Sequence, residues 1–407
     1  MKKWLVALCV LAGLVLVACG GGSSAINSLG NLASGGDGGG VGSGGTGISG
    51  GSVGYVAGFG SIYVNGTRYD ISSASMNVAD NTELKLGSSV KVLGTVSSDY
   101  STGVATSVES EADVMGQVTS VDTSHGTLVV QGLTISTDSE TVLDGVTALS
   151  GLSNGSWVKI YGQAWFDAQQ SANQMRASRI EYLPSAPTSV VLSGAISQLN
   201  KTSQQFSLGS ITVNYNGATF SGGVDASTIS NGMVVRVRSS SAPVSGVLTA
   251  SSIKLWYPLT LVDNAPLSVD GVIGSFTALN SFKVLGYAVD ASSATISGGT
   301  SSTLTNGVKV EITGVLHNGV LVASSVAIRQ VPGTPGPARY TATGPIVLYN
   351  SSTSTFKVQG QSIDASSNSV TFSGGTRAQL ANQVKVTVVG SQVVNGVLIA
   401  SSITFTP

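Results

Sequence analysis

Self-similarity constrains this chain more than any other feature. One phrase closes three successive stretches: Gly246-Val247-Leu248-Thr249-Ala250-Ser251-Ser252-Ile253, Gly319-Val320-Leu321-Val322-Ala323-Ser324-Ser325-Val326 and Gly396-Val397-Leu398-Ile399-Ala400-Ser401-Ser402-Ile403. Looser versions stand at Gly103-Val104-Ala105-Thr106-Ser107-Val108 and Met175-Arg176-Ala177-Ser178-Arg179-Ile180. A phrase returning every few tens of residues means one small supersecondary unit used again. The folded part therefore reads as five units of roughly 60 to 75 residues, not one large domain.

Upstream of each phrase, one basic residue sits between two apolar ones: Val90-Lys91-Val92, Val158-Lys159-Ile160, Val235-Arg236-Val237, Val308-Lys309-Val310 and Val384-Lys385-Val386. Alternation at period two is the mark of a half-buried strand, with the valines inward and the cation outward. A turn precedes that strand, Asn-Gly at Asn154-Gly155, Asn231-Gly232 and Asn306-Gly307, with Leu86-Gly87 and Asn382-Gln383 departing from it. Each unit opens with a strand, then a tight hairpin such as Phe282-Lys283-Val284-Leu285-Gly286 or Phe356-Lys357-Val358-Gln359-Gly360. Between the third and fourth strands an apolar residue recurs, Leu86, Leu152, Ile229, Leu304 and Leu380.

Three strands, a short plug and two more strands give an all-β fold of tandem five-stranded Greek-key barrels of the oligonucleotide/oligosaccharide-binding (OB) type. Tandem β-sandwich units are the alternative. The expected units are residues 53–112, 113–183, 188–257, 266–330 and 338–407. Prolines at 184, 187, 258, 266, 332, 335 and 337 punctuate the later boundaries. Units this small bury only about 60% of their unfolded surface, so docking between neighbours is expected.

The chain begins differently. Lys2 and Lys3 precede an apolar run from Trp4 to Ala18, too short to span a bilayer as a helix and characteristic of a secretory signal. The run ends in Leu16-Val17-Ala18-Cys19, which resembles the lipobox of bacterial lipoproteins. That resemblance implies cleavage of residues 1–18 and acylation of Cys19 with diacylglyceryl and palmitate-type chains, and Gly20 after it implies passage to the outer membrane. Two or more acyl chains anchor stably where one does not. Residues 19–52 read as the lipidated Cys and a Gly/Ser-rich linker, a flexible coil spanning roughly 30 Å.

Gly58-Phe59-Gly60-Ser61-Ile62-Tyr63-Val64-Asn65-Gly66, with Leu84-Lys85-Leu86-Gly87-Ser88-Ser89-Val90-Lys91-Val92 and Gly103-Val104-Ala105-Thr106, resembles the tandem modules of bacterial lipoproteins catalogued as domain of unknown function 5666. The second unit, from Gly116-Gln117-Val118 onward, is similar, and the later three share the skeleton. The resemblance implies a small all-β repeat at the cell envelope and brings no catalytic residues.

Composition excludes much of the rest. Charged residues make up 10% of the chain, with 19 basic against 20 acidic, so there is no basic surplus for nucleic acid. Two His and two Cys leave little for a zinc site or His-dependent catalysis. His125 and His317 fall in different turns of different units, and Asp70, Asp290 and Asp364 recur singly, so neither a catalytic triad nor a metal or cofactor site is expected.

Candidate ligand contacts are the aromatic cluster Trp157, Tyr161, Trp165 and Phe166, and the recurring cations Lys91, Lys159, Arg236, Lys309 and Lys385. Aromatic side chains can form a platform on such barrels, and aligned cations can meet an anionic polymer. The competing readings are core packing for the rings and protection of strand edges for the cations. The expected function is a non-enzymatic, lipid-anchored envelope protein, a spacer or binding array for an envelope polysaccharide or another envelope protein. A fibre-like assembly or adhesion protein is the alternative, and a polysaccharide hydrolase working through paired carboxylates is a weaker one.

Overall fold

The computed structural model describes residues 48–406 apart from 82, 168, 169, 333 and 335–339. The signal segment, Cys19 and the linker up to residue 47 lie outside the described residues. Among the described residues no helix is long and apolar enough to cross a membrane.

Unit one sets the pattern. Its first strand, Ile48–Phe59, pairs antiparallel with the second, Ile62–Val64, which pairs with the third, Thr67–Asp70. The fourth, Ser89–Val96, pairs antiparallel with both the first and the fifth, Thr102–Ser110. The third and fifth strands run parallel and close the barrel. The order first–second–third–fifth–fourth–first is that of an OB-type barrel, and closure removes the open edges a flat sheet would expose.

The same pairings recur in units two, four and five, built on first strands Val114–Asp122, Ala265–Ala278 and Tyr340–Asn350. In unit three the first strand is broken into Val190–Ala195 and Ser197–Asn200, and the last into Val247–Thr249 and Ser252–Leu255. Each unit also has a short strand that the sequence reading did not count, such as Ser75–Val78 or Thr295–Ser297, running parallel beside the fifth strand.

The alternation behaves as expected inside each barrel. Val90 and Val92 are buried, and so are the plugs Leu86, Leu152, Ile229, Leu304 and Leu380. The turn before the fourth strand needs a left-handed residue, with Gly232 at φ +85 and Gly307 at φ +86; Gln383 takes the same conformation at φ +71. Asp70, Asp290 and Asp364 close a turn after the third strand, their carboxylates accepting from the backbone N–H of Ser72, Ser292 and Ser366.

The barrels dock, and not only along the chain. The first strand of unit one lies parallel to that of unit four, with Gly51 opposite Leu267 and Val53 opposite Val269. Its far end lies beside unit five, Gly58 opposite Thr341. This strand starts at Ile48, inside the stretch that composition assigned to the linker. Glycine is needed there for contact: a Cβ on Gly50 would lie 2.3 Å from the Pro266 carbonyl oxygen, and one on Gly58 2.5 Å from that of Thr341. Most buried apolar side chains of units two, three and four form one continuous cluster, and most of those of units one and five form another.

Candidate functional site

The recurring cations point out of their own barrels, as alternation requires, but four of them do not reach solvent. Lys91, Lys159, Arg236 and Lys309 are buried where barrels meet, whereas Lys385 is exposed. They form no exposed stripe for a polymer, because four of the five are covered by packing between units.

Three junctions use them. At the first, Asp113, in the link between units one and two, is fully buried and accepts four hydrogen bonds. Ser89 Oγ donates at 2.5 Å, the Gly162 N–H at 2.9 Å, Arg236 Nη2 at 2.7 Å and the Tyr257 hydroxyl at 3.0 Å. Glu111 beside it takes Arg236 Nη1 at 3.2 Å and Lys254 Nζ at 2.7 Å. The Trp256 ring lies under three cations, with Arg236 Cζ 3.8 Å, Lys91 Nζ 4.6 Å and Lys254 Nζ 4.7 Å from its centroid, a cation–π arrangement strengthened by burial.

At the second junction Glu140 of unit two gathers groups from three other units. Lys309 and Arg329 of unit four pair with its carboxylate, the Tyr55 hydroxyl of unit one donates to it at 3.0 Å, and the Tyr340 hydroxyl of unit five donates to its backbone carbonyl. At the third, Lys159 and Arg179 pair with Glu181 of their own unit at 2.7 and 2.6 Å, Arg179 also meets Asp144, and unit one joins them where Lys85 pairs with Glu181 at 3.4 Å and the Asp80 carbonyl accepts from Lys159 Nζ at 2.7 Å. Burial alone would raise the Glu181 carboxyl, but Arg179 and Lys159 together draw it down to about 2.

Asp270 goes the other way. It is buried beside Lys309 and accepts from Gln163 Nε2. Burial, with Glu140 and Glu311 adding to it, lifts its carboxyl to about 7 against the pull of Lys309 and Arg329. Because the folded value lies above the ordinary 3.8, the fold favours the protonated form. The stability this confers is complete below the ordinary value and is lost as pH rises through about 7. Between pH 5 and 7 the protein should therefore lose stability by up to about 1.4 kcal/mol per pH unit from this group. Asp270→Asn should flatten that slope, read as urea midpoints across the window; an unchanged slope would refute the assignment.

The aromatic cluster divides. Tyr161 is fully buried against Ala112, Met115 and Val191, its phenol pushed up by burial and by Glu181, and Trp157 packs half-buried on the unit-two core. Trp165 and Phe166, at the end of the fourth strand of unit two, line a cavity of about 340 Å³. Its other walls are unit three, at Ile196 in the break of its first strand and Val234 at the start of its fourth, and unit four, at Val272 on its first strand and Leu285 just past its second. The rings of the cluster therefore do not make one platform; two of them make one wall of a shared cavity.

Local structure explains how the walls meet. Asn173 bridges the unit-two hairpin to unit three, its side chain accepting from the Ala195 N–H at 2.7 Å and donating to the Ala195 carbonyl at 3.1 Å. Against unit four, a Cβ on Gly274 would sit 3.0 Å from the Phe166 carbonyl oxygen and 3.8 Å from the Trp165 ring, so glycine lets the hairpin lie close. Gln198 at φ +51 and Ser275 at φ +52, both on bulged first strands, also line the cavity in left-handed conformations. Bulges of this kind re-aim side chains and are over-represented beside functional sites.

Other candidates are placed simply. Both histidines are exposed, His125 in a turn as expected but His317 at the end of the fourth strand of unit four, Lys309–His317, and each has Nδ1 against an aspartate, Asp122 at 2.7 Å and Asp263 at 3.1 Å. Among the described residues no group of three or more His, Cys, Asp or Glu is arranged to hold a metal ion.

No curated protein and no solved structure matches the chain. The family model described as "Domain of unknown function (DUF5666)" matches residues 115–181, 193–254, 270–327 and 343–404. The matched stretches are units two to five, whereas the phrases that carried the resemblance most fully lie in unit one, which repeats the same strand order. With most of its length in four tandem copies of this module, the chain belongs to the DUF5666 family.

Proposed function

We propose that the chain is a non-enzymatic, lipid-anchored binding protein of the bacterial cell envelope. In this reading residues 1–18 are cleaved as a signal peptide, acyl chains on Cys19 hold the protein at the outer membrane, and the Gly/Ser-rich linker lets a head of five barrels reach its partner. The partner is an envelope component, polysaccharide or protein, and not nucleic acid.

The observation that carries the binding role is the cavity walled by Trp165 and Phe166 together with units three and four. Concave, mostly apolar spaces of about 300 to 1,000 Å³ at domain junctions are where small ligands and projecting groups bind. Docking shifts the balance from spacer to binder, since unit one lies against units four and five instead of standing at the far end of a string. It also changes what the component must present: one group entering one composite site, not a periodic polymer meeting five equal ones. Fibre assembly by strand pairing is disfavoured because the barrels close on themselves. A hydrolase reading gains little, since Glu140 and Asp270 are buried and engaged with partners from other strands.

Two variants test the reading. Cys19→Ala, with the signal retained, should move the protein out of the membrane fraction; an unchanged fraction would refute the anchor. Trp165→Ala should weaken retention of the purified protein on an envelope extract by tenfold or more, as loss of a central aromatic contact does. Equal retention by a folded variant would remove the cavity from the account.

A further inference from the structure

We infer that the cavity shared by units two, three and four takes a small amphipathic anion, its apolar body against Trp165 and Phe166 and its single anionic headgroup at Lys283. The inference rests on the binding role proposed above and assigns that site its ligand chemistry.

The first ground is charge. Most cations of this protein are neutralised internally: Lys91, Lys159, Arg236 and Lys309 are all ion-paired between or within barrels. Lys283 is different. It lies on the second strand of unit four, Ser281–Val284, exposed, and it lines the cavity. Its cross-strand neighbour is Gly274, so no side chain stands beside it on that face of the pair. Among the described residues it has no carboxylate within ion-pair distance. A cation at the mouth of an apolar space attracts the charged end of a ligand and holds it more strongly than one in open water.

The second ground is the lining itself. Val272, Leu285, Ile196 and the two rings give apolar contact, while Gly232 leaves open space, with nothing within 4 Å of where a Cβ would stand. An apolar tail gains from leaving water there, and at about 340 Å³ the cavity suits a short chain or a single ring system, not a polymer backbone.

Isothermal titration of the purified full chain with decanoate and with decanol, at matched concentrations below micelle formation, tests this. Decanoate should bind tenfold or more tighter than decanol, because only the carboxylate forms charge-assisted contacts. Lys283→Met should abolish that preference while leaving decanol binding unchanged. Ser197→Trp, which fills the space from a half-buried position, should remove both. Equal binding of the two probes by the unmodified chain would overturn the headgroup assignment while leaving the cavity as a binding site. Absence of saturable binding by either, or binding untouched by Ser197→Trp, would overturn the cavity reading on which the assignment rests.

Discussion

Replacing Lys309 by methionine is expected to remove about 3–5 kcal/mol of stability at pH 8 and clearly less at pH 5. Lys309 is buried in unit four and pairs with Glu140 of unit two, and its charge also pulls down the carboxyls of Asp270 and Glu311, which burial raises. Without the ammonium, Arg329 alone would face these carboxylates, and an uncompensated buried charge costs more than the pair ever contributed. The pH dependence follows from Asp270, whose carboxyl sits near 7 in the folded protein. At pH 8 it is ionised and needs the cation; at pH 5 it holds its own proton. Urea midpoints for both chains at the two pH values decide the matter, and an equal loss at each would contradict the assignment.

Arg236→Ala should be as costly, about 3–5 kcal/mol, and its effect should be nearly independent of pH across that range. Arg236 joins unit three to the link between units one and two, with Nη2 on Asp113 and Nη1 on Glu111, and its guanidinium stacks 3.8 Å from the Trp256 centroid. The substitution strips one charge partner from two carboxylates and one face from the tryptophan. Hydrogen exchange should show unit three losing protection first, because Arg236 is its buried, ion-paired tie to that link.

The fold of each unit was legible because its signals are local. Valines at period two, Asn-Gly before the fourth strand and one apolar plug per unit lie within a few residues of each other, and each does in the structure what its chemistry requires. The docking was not legible. The cation of one barrel meets acids far away in the chain, Arg236 to Asp113 across 123 positions and Lys309 to Glu140 across 169, and no periodicity announces such a pair. The first strand was read as linker up to residue 52 because glycine and serine look flexible in sequence, yet Gly50 and Gly51 are there to let backbones touch. Of the candidate ligand residues, Trp165 and Phe166 were found by the scarcity of aromatics. Lys283 was visible only as a repeat residue, since what sets it apart from Lys357 at the same place in unit five is its position in the cavity wall, and that is known only once the barrels are docked.

Measured pairwise coupling between Asp113 and Arg236 tests the central claim most directly: that buried ion pairs across barrel boundaries hold the units together. A double-mutant cycle of Asp113→Asn, Arg236→Met and the combination, followed by urea unfolding of the full chain, isolates that term. The account predicts a coupling of at least about 1.5 kcal/mol, with the double variant losing less than the two single losses combined. Additive losses, with a coupling near zero, would show that the barrels stand together for some other reason and would contradict it.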